Sequence, residues 1–544
     1  MKKLFLTVVT LLTAITSGMA CTNLIVGKAA SADGSVIVSY SADSYGMYGY
    51  LCHYPAAVHA EGTWREVYDW ETGRYTGRIP EAAQTYNVIG NINEHQVTIA
   101  ETTFGGREEL VNPEGIIDYG SLIYIALQRA KTAREAIDVM TSLVEEYGYN
   151  SGGESFSIAD PNEVWIMEMI GKGPEQKGAV WVAVRIPDDC IAAHANQARI
   201  RQFPLKDKKN CLYSKDVIKF AREKGYFEGK DAEFDFAAAY CPADFGGLRY
   251  CDARVWSYFN MFVDGMDQYL PWAMGDASAT PMPLYIQPKQ KVSVRDVQNA
   301  MRDHYEGTPM DITGDLGAGP WSMPYRPSPL SFKVDDKTYF NERPISTQQT
   351  AFTFVSQMRS HLPNAIGGVL WFGTDDANMA VFTPVYCCTN VVPECYKREM
   401  ADAVTFSEKS AFWLFNMVSN MVYPRYSALI GDLKKAQKDA EDTFAQSQPD
   451  VEAKAMELYN DNPPKAVAML TEYTNQMAMA TMRAWGHLAK FLIVKHNDMV
   501  VKPEENGVFK RIETGEAVSP VRPGYPEHFN RRVAGETGER YLMK

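Results

Sequence analysis

The chain contains no Cys-x-x-Cys pair, although it holds nine cysteines. Without that spacing a structural zinc site loses its usual ligand set, and Cys387, Cys388 and Cys395 alone are a poor substitute. No metal or other cofactor is therefore expected. There is no stripe of clustered Lys and Arg either, and the formal charge is −13. Phosphate contacts need such clusters, so nucleic acid is excluded as a partner. No run of residues reaches the roughly 20 apolar positions of a membrane-spanning helix. Internal repeats and low-complexity tracts are also missing, which argues against a solenoid and against wholesale disorder. What the chain does have is core material. With 46% hydrophobic and 12% aromatic residues over 544 positions, it can bury a large interior.

The N-terminus reads as an export signal. Lys2 and Lys3 give the positive end, Leu4 to Ile15 is mostly apolar, and Thr16, Ser17, Gly18 and Ala20 are small. Cleavage after Ala20 makes Cys21 the first residue of the mature chain and takes the protein to the periplasm or the medium. Loss of the two lysines moves the charge to −15. A lipid anchor on Cys21 is disfavoured, because Gly18 stands where lipidation signals carry a branched apolar residue. A terminal cysteine offers a thiol with a reference pKa near 8.5 and an α-amine near 7.7–8.0. The neutral amine is able to take the sulfur's proton, so nucleophile and base arrive in one residue. The other eight cysteines read as buried thiols or one or two disulfides, with Cys241 and Cys251 a plausible local loop.

Short β-type runs at Leu24–Val26 and Ser35–Tyr40 flank an Asp33-Gly34 turn, which returns the chain and brings Asp43 back towards Cys21. Tyr86–Ile89 and Gln96–Glu101 read as a second strand pair around Asn93-Glu94. A helix is predicted at 132–147, with Gly148 as its stop. Ser155–Ala159 and Val164–Ile170 form a hairpin around Asp160-Pro161-Asn162, and strands follow in "AVWVAVRI", "CIAAHA", "FTFVSQM" and "GGVLWFGT". Strands, helix, then strands again suit an α+β layered fold better than a doubly wound parallel sheet. The organisation read from this is a leader at 1–20, a catalytic domain at 21–400 with insertions at about 201–345, a mainly helical region at 401–500 and a tail at 501–544.

Four blocks together resemble the cysteine dipeptidases of the dipeptidase A type, within the N-terminal nucleophile hydrolases: "CTNLIVGKAASADGSVI" (21–37), "NEHQVTIAETTFGGRE" (93–108), "REAIDVMTSLVEEYGYNSGGESFSIADPNEVWIME" (134–168) and "RDHYEGTPMDIT" (302–313). "LPNAIGGVLWFG" (362–373) is a weaker fifth. Penicillin V acylase, bile salt hydrolase and the secernins are relatives of that group. The resemblance implies an αββα four-layer sandwich, here with an additional C-terminal helical region, and hydrolysis of dipeptides or short peptides. By position it implies Cys21 as nucleophile, Asp43 as the carboxylate on the α-amine, Asn196 as an oxyanion donor and Arg254 as an arginine near the nucleophile. Thr102 and Thr103 fall where acylases place a further oxyanion contributor in the substrate site. The pattern departs just before Asp43, where many relatives carry Arg and Asn and this chain carries Tyr40 and Ser41.

Rival readings of single residues stay on the table. Asp43 could cap a turn, Asn196 could occupy one, and Arg254 could be a surface ion pair. His194 invites a Cys–His pair but reads better as a packed strand residue, and Glu94 with Glu101 is an acid pair without sugar-binding context. The rival functions are an N-acyl amide hydrolase of the bile salt hydrolase kind and a lipid-anchored, non-enzymatic binding protein. A homo-oligomer is left open by the sequence.

Overall fold

Cys21 enters a sheet almost at once, because Asn23–Val26 is the first strand. The computed structural model describes residues 21–543, and the leader read at residues 1–20 lies outside them. Among the described residues the fold is mixed α+β, built on two large sheets in which every ladder is antiparallel. The first sheet runs in the order Tyr285–Ile286, Ile191–His194, Asn23–Val26, Val36–Asp43, Thr350–Met358, Gly368–Thr374, Thr383–Tyr386. The second runs Cys211–Tyr213, Ala179–Arg185, Val164–Gly171, Gly153–Ala159, Thr98–Gly105, Ile92–Asn93, Val88–Ile89, His53–Tyr54.

The side-chain period of two distributes these strands over three apolar clusters. Ile25, Val36, Val38 and Tyr40 of the first sheet meet Ala100, Val164 and Ile166 of the second in one cluster. The alternate residues Ile99, Phe156, Ile158 and Trp165 face helices Tyr119–Arg129 and Ala133–Tyr147. Leu24, Val26, Ile37 and Val355 face helix Ala253–Phe262 and the C-terminal helices Ala411–Val422, Tyr426–Asp461 and Pro463–His496. Val36–Asp43 and Thr350–Met358 are buried along their whole length, and the polar residues within them, Ser39, Ser41 and Asp43 on one strand and Thr350, Thr353, Ser356 and Gln357 on the other, are buried as well. Each fully buried Leu, Ile or Val contributes about 1.5–3 kcal/mol. Pro463 starts the last long helix, where its missing N–H costs nothing, and Trp485 stacks on Phe415 at 4.6 Å between ring centroids.

Several sequence expectations are refined. The region read as one hairpin at 86–101 is a tighter meander, with Val88–Ile89, Ile92–Asn93 and Thr98–Gly105 paired in turn. The segment 201–345 is not only loops, since it lends an edge strand to each sheet and holds helix Ala253–Phe262. The tail past Val501 carries an exposed helix at Glu527–Thr537. All nine cysteines are free thiols, so Cys241 and Cys251 are not joined. Cys241 Sγ turns instead towards Gln197 and the carbonyl of Phe104. Among the described residues no helix is long and apolar enough to cross a membrane, and no three His, Cys, Asp or Glu side chains gather into a metal-binding group.

Candidate active site

The Asp33-Gly34 turn sets the geometry around Cys21. Asp33 Oδ1 accepts from the backbone and hydroxyl of Ser35, at 3.0 and 2.5 Å, and Gly34 takes φ +76°, a conformation that favours glycine. The turn pairs Ile25 with Val38, and the same register carried to the end of the strand pairs Thr22 with Ser41. Cys21 thus lies beside the far end of strand Val36–Asp43, which delivers Tyr40 and Asp43 to it.

The Cys21 side chain is fully buried. Its Sγ lies 3.5 Å from the Tyr40 hydroxyl and 3.5 Å from Glu101 Oε1, and Tyr40 donates to the same Glu101 oxygen at 2.6 Å. Burial pushes the thiol well above its ordinary range, and the negative charges of Glu101 and Asp43 push it further. Hydrogen-bond contacts of the sulfur with the Tyr40 hydroxyl and the Asp43 backbone pull the other way and do not outweigh them. The resting sulfur therefore holds its proton.

Asp43 is buried and saturated with donors. Its carboxylate accepts from Thr350 Oγ1 at 2.6 Å and Ser41 Oγ at 3.1 Å, and it forms a salt bridge with Arg343. Arg254 is 1% exposed, which removes the surface ion-pair reading. From the first turn of helix Ala253–Phe262 its guanidinium donates to Cys21 O at 2.6 Å, Thr22 Oγ1 at 2.8 Å, Ala195 O at 3.0 Å and Asn196 Oδ1 at 3.0 Å. It ties the Cys21 carbonyl to the loop that carries Asn196. Burial lowers its pKa to about 10, which leaves it charged at neutral pH.

Asn196 adopts φ +65°, in the left-handed region that Asn tolerates better than most residues. Its Nδ2 donates to Thr103 O at 2.8 Å. The loop is held from below by Glu168, which accepts from the backbone N–H groups of Arg199 and Ile200. Gly247 packs behind it, where a Cβ would stand 2.1 Å from Gln197 Oε1 and would force that side chain to shift.

The two threonines are engaged elsewhere. Thr102 Oγ1 bonds His194 Nδ1 at 2.7 Å, and Thr103 Oγ1 donates to Glu154 Oε1 at 2.7 Å. His194 is clamped between two hydroxyls, with Ser157 Oγ 2.8 Å from its Nε2, and it makes no contact with Cys21. Burial first, and the nearby Arg199 second, lower its pKa to about 3, so the ring is neutral. Tyr40, Glu101, Glu154, Thr350 and Arg343 complete the site, and sequence reasoning assigned none of them a role in it. Only Tyr40, as a departure from pattern, and Glu101, as a member of an acid pair, had been singled out at all.

His194 gives a pH prediction. Its folded pKa lies below the unfolded value near 6.5, so the unfolded chain binds the proton first. Its contribution is complete above pH 6.5 and is lost as pH falls towards 3, amounting to about 3 kcal/mol by pH 4. Urea midpoints measured at pH 7 and pH 4 should fall less in His194→Gln than in the parent. Parallel falls in the two proteins would show that the buried ring is not the cause.

A family model described as Peptidase family C69 matches residues 20–439. A "Probable dipeptidase" of Salmonella dublin is 28% identical over 409 residues, covering 71% of this chain and 85% of the relative. A "Probable dipeptidase" of Latilactobacillus sakei is 27% identical over 480 residues, covering 84% and 92%. "Dipeptidase A" of Lactobacillus helveticus is 25% identical over 439 residues, covering 76% and 84%. The family match begins one residue before the buried cysteine and runs through both sheets, and with more than half of its length matched the chain belongs to peptidase family C69.

Proposed function

We propose that this protein is an exported dipeptidase whose nucleophile is Cys21, exposed as the mature N-terminus by cleavage after Ala20. The observation that carries the reading is the convergence on one residue. Tyr40, Glu101 and the Asp43 backbone surround Cys21 Sγ, while Arg254 grips Cys21 O. The related dipeptidases supply the substrate class. The three apolar clusters, helix-to-sheet, sheet-to-sheet and sheet-to-helix, favour the αββα sandwich of N-terminal nucleophile hydrolases.

The chemistry follows from the groups present. The Cys21 α-amine takes the S–H proton, and the sulfur attacks the scissile carbonyl. A second amide hydrogen of Asn196, beyond the one given to Thr103 O, donates to the oxyanion, where one such donor contributes roughly 10²–10³ in rate. Asp43 and Arg343 form a fixed charge pair behind the amine and hold strand Val36–Asp43 in place. The intermediate collapses as the α-ammonium returns its proton to the leaving amine, which departs as the free C-terminal amino acid. Water then attacks the thioester, the amine accepts its proton, and the acid product leaves with the thiol restored.

A panel of dipeptides set against N-acyl amides tests this reading. Dipeptide hydrolysis with little acyl cleavage is the expected result. Acyl cleavage without dipeptide hydrolysis would make the protein an acylase instead.

A further inference from the structure

Beside the nucleophile lies a second polar cluster that the hydrolysis described above does not use. Glu101 and Glu154 sit on neighbouring strands of the second sheet, 1% and 0% exposed. Glu154 Oε1 accepts from Thr103, and Glu101 Oε1 accepts from Tyr40 and Cys21. The other oxygen of each carboxyl, Oε2, is buried and accepts from no N–H or hydroxyl group, which leaves the two carboxyls to each other. Among the described residues no Lys, Arg or His forms an ion pair with either group, and Glu71 adds a further negative charge nearby.

Two adjacent ionised carboxylates cannot donate to each other, so a proton on one is needed to join them. Glu154 is the one that holds it. Burial and then the charge of Glu101 push Glu154 well above its ordinary range, while burial first, with a smaller push from Glu71, carries Glu101 to about 6 against hydrogen bonds from Tyr40, Glu154 and Cys21. At neutral pH the pair therefore keeps one negative charge on Glu101 without a cationic partner. An uncompensated buried charge is costly, and a cationic ligand beside Glu101 would supply the missing counter-charge.

We propose that Glu101, backed by Glu154, is the specificity residue that binds the free α-ammonium of the substrate's first residue. The proposal rests on the dipeptidase reading and deepens it. The distances agree with it. In a peptide the α-nitrogen stands about 2.5 Å from the adjoining carbonyl carbon, two bonds away. A carboxylate oxygen 3.5 Å from the attacking sulfur is within hydrogen-bond reach of that nitrogen when the carbonyl lies over the sulfur. Tyr40 fixes the carboxylate in this position. An N-acylated or des-amino substrate would leave the Glu101 charge buried and unpaired, so the site rejects it.

The test compares a dipeptide that the enzyme cleaves with its des-amino analogue, alanyl against propionyl, across the same scissile bond. The parent protein should prefer the free amine by about 30-fold or more in kcat/KM, the lower end of the cost of an unpaired buried charge. Glu101→Gln should lose most of that preference: whatever the lost charge does to Cys21 acts on both substrates alike, while the rate on the dipeptide falls much further than the rate on the des-amino analogue. Alkylation of Cys21 by iodoacetamide, followed in both proteins, reports nucleophile reactivity separately from substrate recognition. A parallel loss on both substrates would overturn the proposal, because Glu101 would then serve the sulfur or the enzyme's own α-amine, and the dipeptidase reading would stand. A parent protein that cleaves both substrates equally would overturn it without recourse to any variant. A parent that cleaves no dipeptide would remove both readings together.

Discussion

Cys21→Ala should lower kcat/KM on dipeptides by roughly 10⁴-fold or more while leaving the melting temperature almost unchanged. The size of the rate loss follows from removing a covalent nucleophile, without which only binding and oxyanion contacts remain. The small effect on stability follows from the surroundings. The Tyr40–Glu101 hydrogen bond at 2.6 Å does not need the sulfur, and the Thr22–Ser41 bridge is a backbone contact. The excised sulfur leaves a gap of one heavy atom next to Tyr40 and Glu101. Calorimetry and steady-state kinetics on one preparation check both halves. Activity above a tenth of the parent's would show that another group performs the attack.

The second large effect lies in the Asp43–Arg343 pair. Both side chains are buried, and Asp43 also takes the hydroxyls of Ser41 and Thr350. Asp43→Ala strands a buried guanidinium, and Arg343→Ala strands a buried carboxylate. Removing one partner of such a pair costs about 3–5 kcal/mol. Each single variant should unfold at markedly lower urea concentration and lose at least about 10²-fold in activity, because Asp43 also places its backbone against Cys21 Sγ. The double variant should be less destabilised than the sum of the singles, with a coupling of about 2 kcal/mol or more. Additive losses would mean that the two groups act independently.

Much of the architecture was legible because the local signals agree with the global fold. The Asp33-Gly34 turn, the Asp160-Pro161-Asn162 turn and the apolar runs between them fall where the strands form. The stretch 86–101 misled because its strands are only two residues long before Thr98, too short for a period to show. Asn196 and Arg254 were visible only through resemblance. Nothing in "AHANQ" or "DARVW" says that Arg254 Nη1 will reach Cys21 O across 233 positions.

Arg343 was invisible for the same reason. It pairs with Asp43 across 300 positions from a proline-flanked segment that carries no periodicity. Thr102 and Thr103 show the limit of transferring roles by position alone. Successive strand residues point to opposite faces, so one hydroxyl reaches His194 and the other reaches Glu154. Glu101 was noticed as an acid, but its meaning depends on Tyr40 and Glu154, which arrive from two other strands. Burial created its significance, and no window of sequence records burial by a distant partner.

The central claim is that sulfur and base belong to one residue, freed by a single cleavage. Intact-mass measurement and N-terminal sequencing of the purified, active protein test it most directly. The account predicts a chain that begins at Cys21, unmodified on both its amine and its sulfur. Full activity in a chain that begins at any other residue, or a diacylglyceryl mass on Cys21 of the working enzyme, would contradict it.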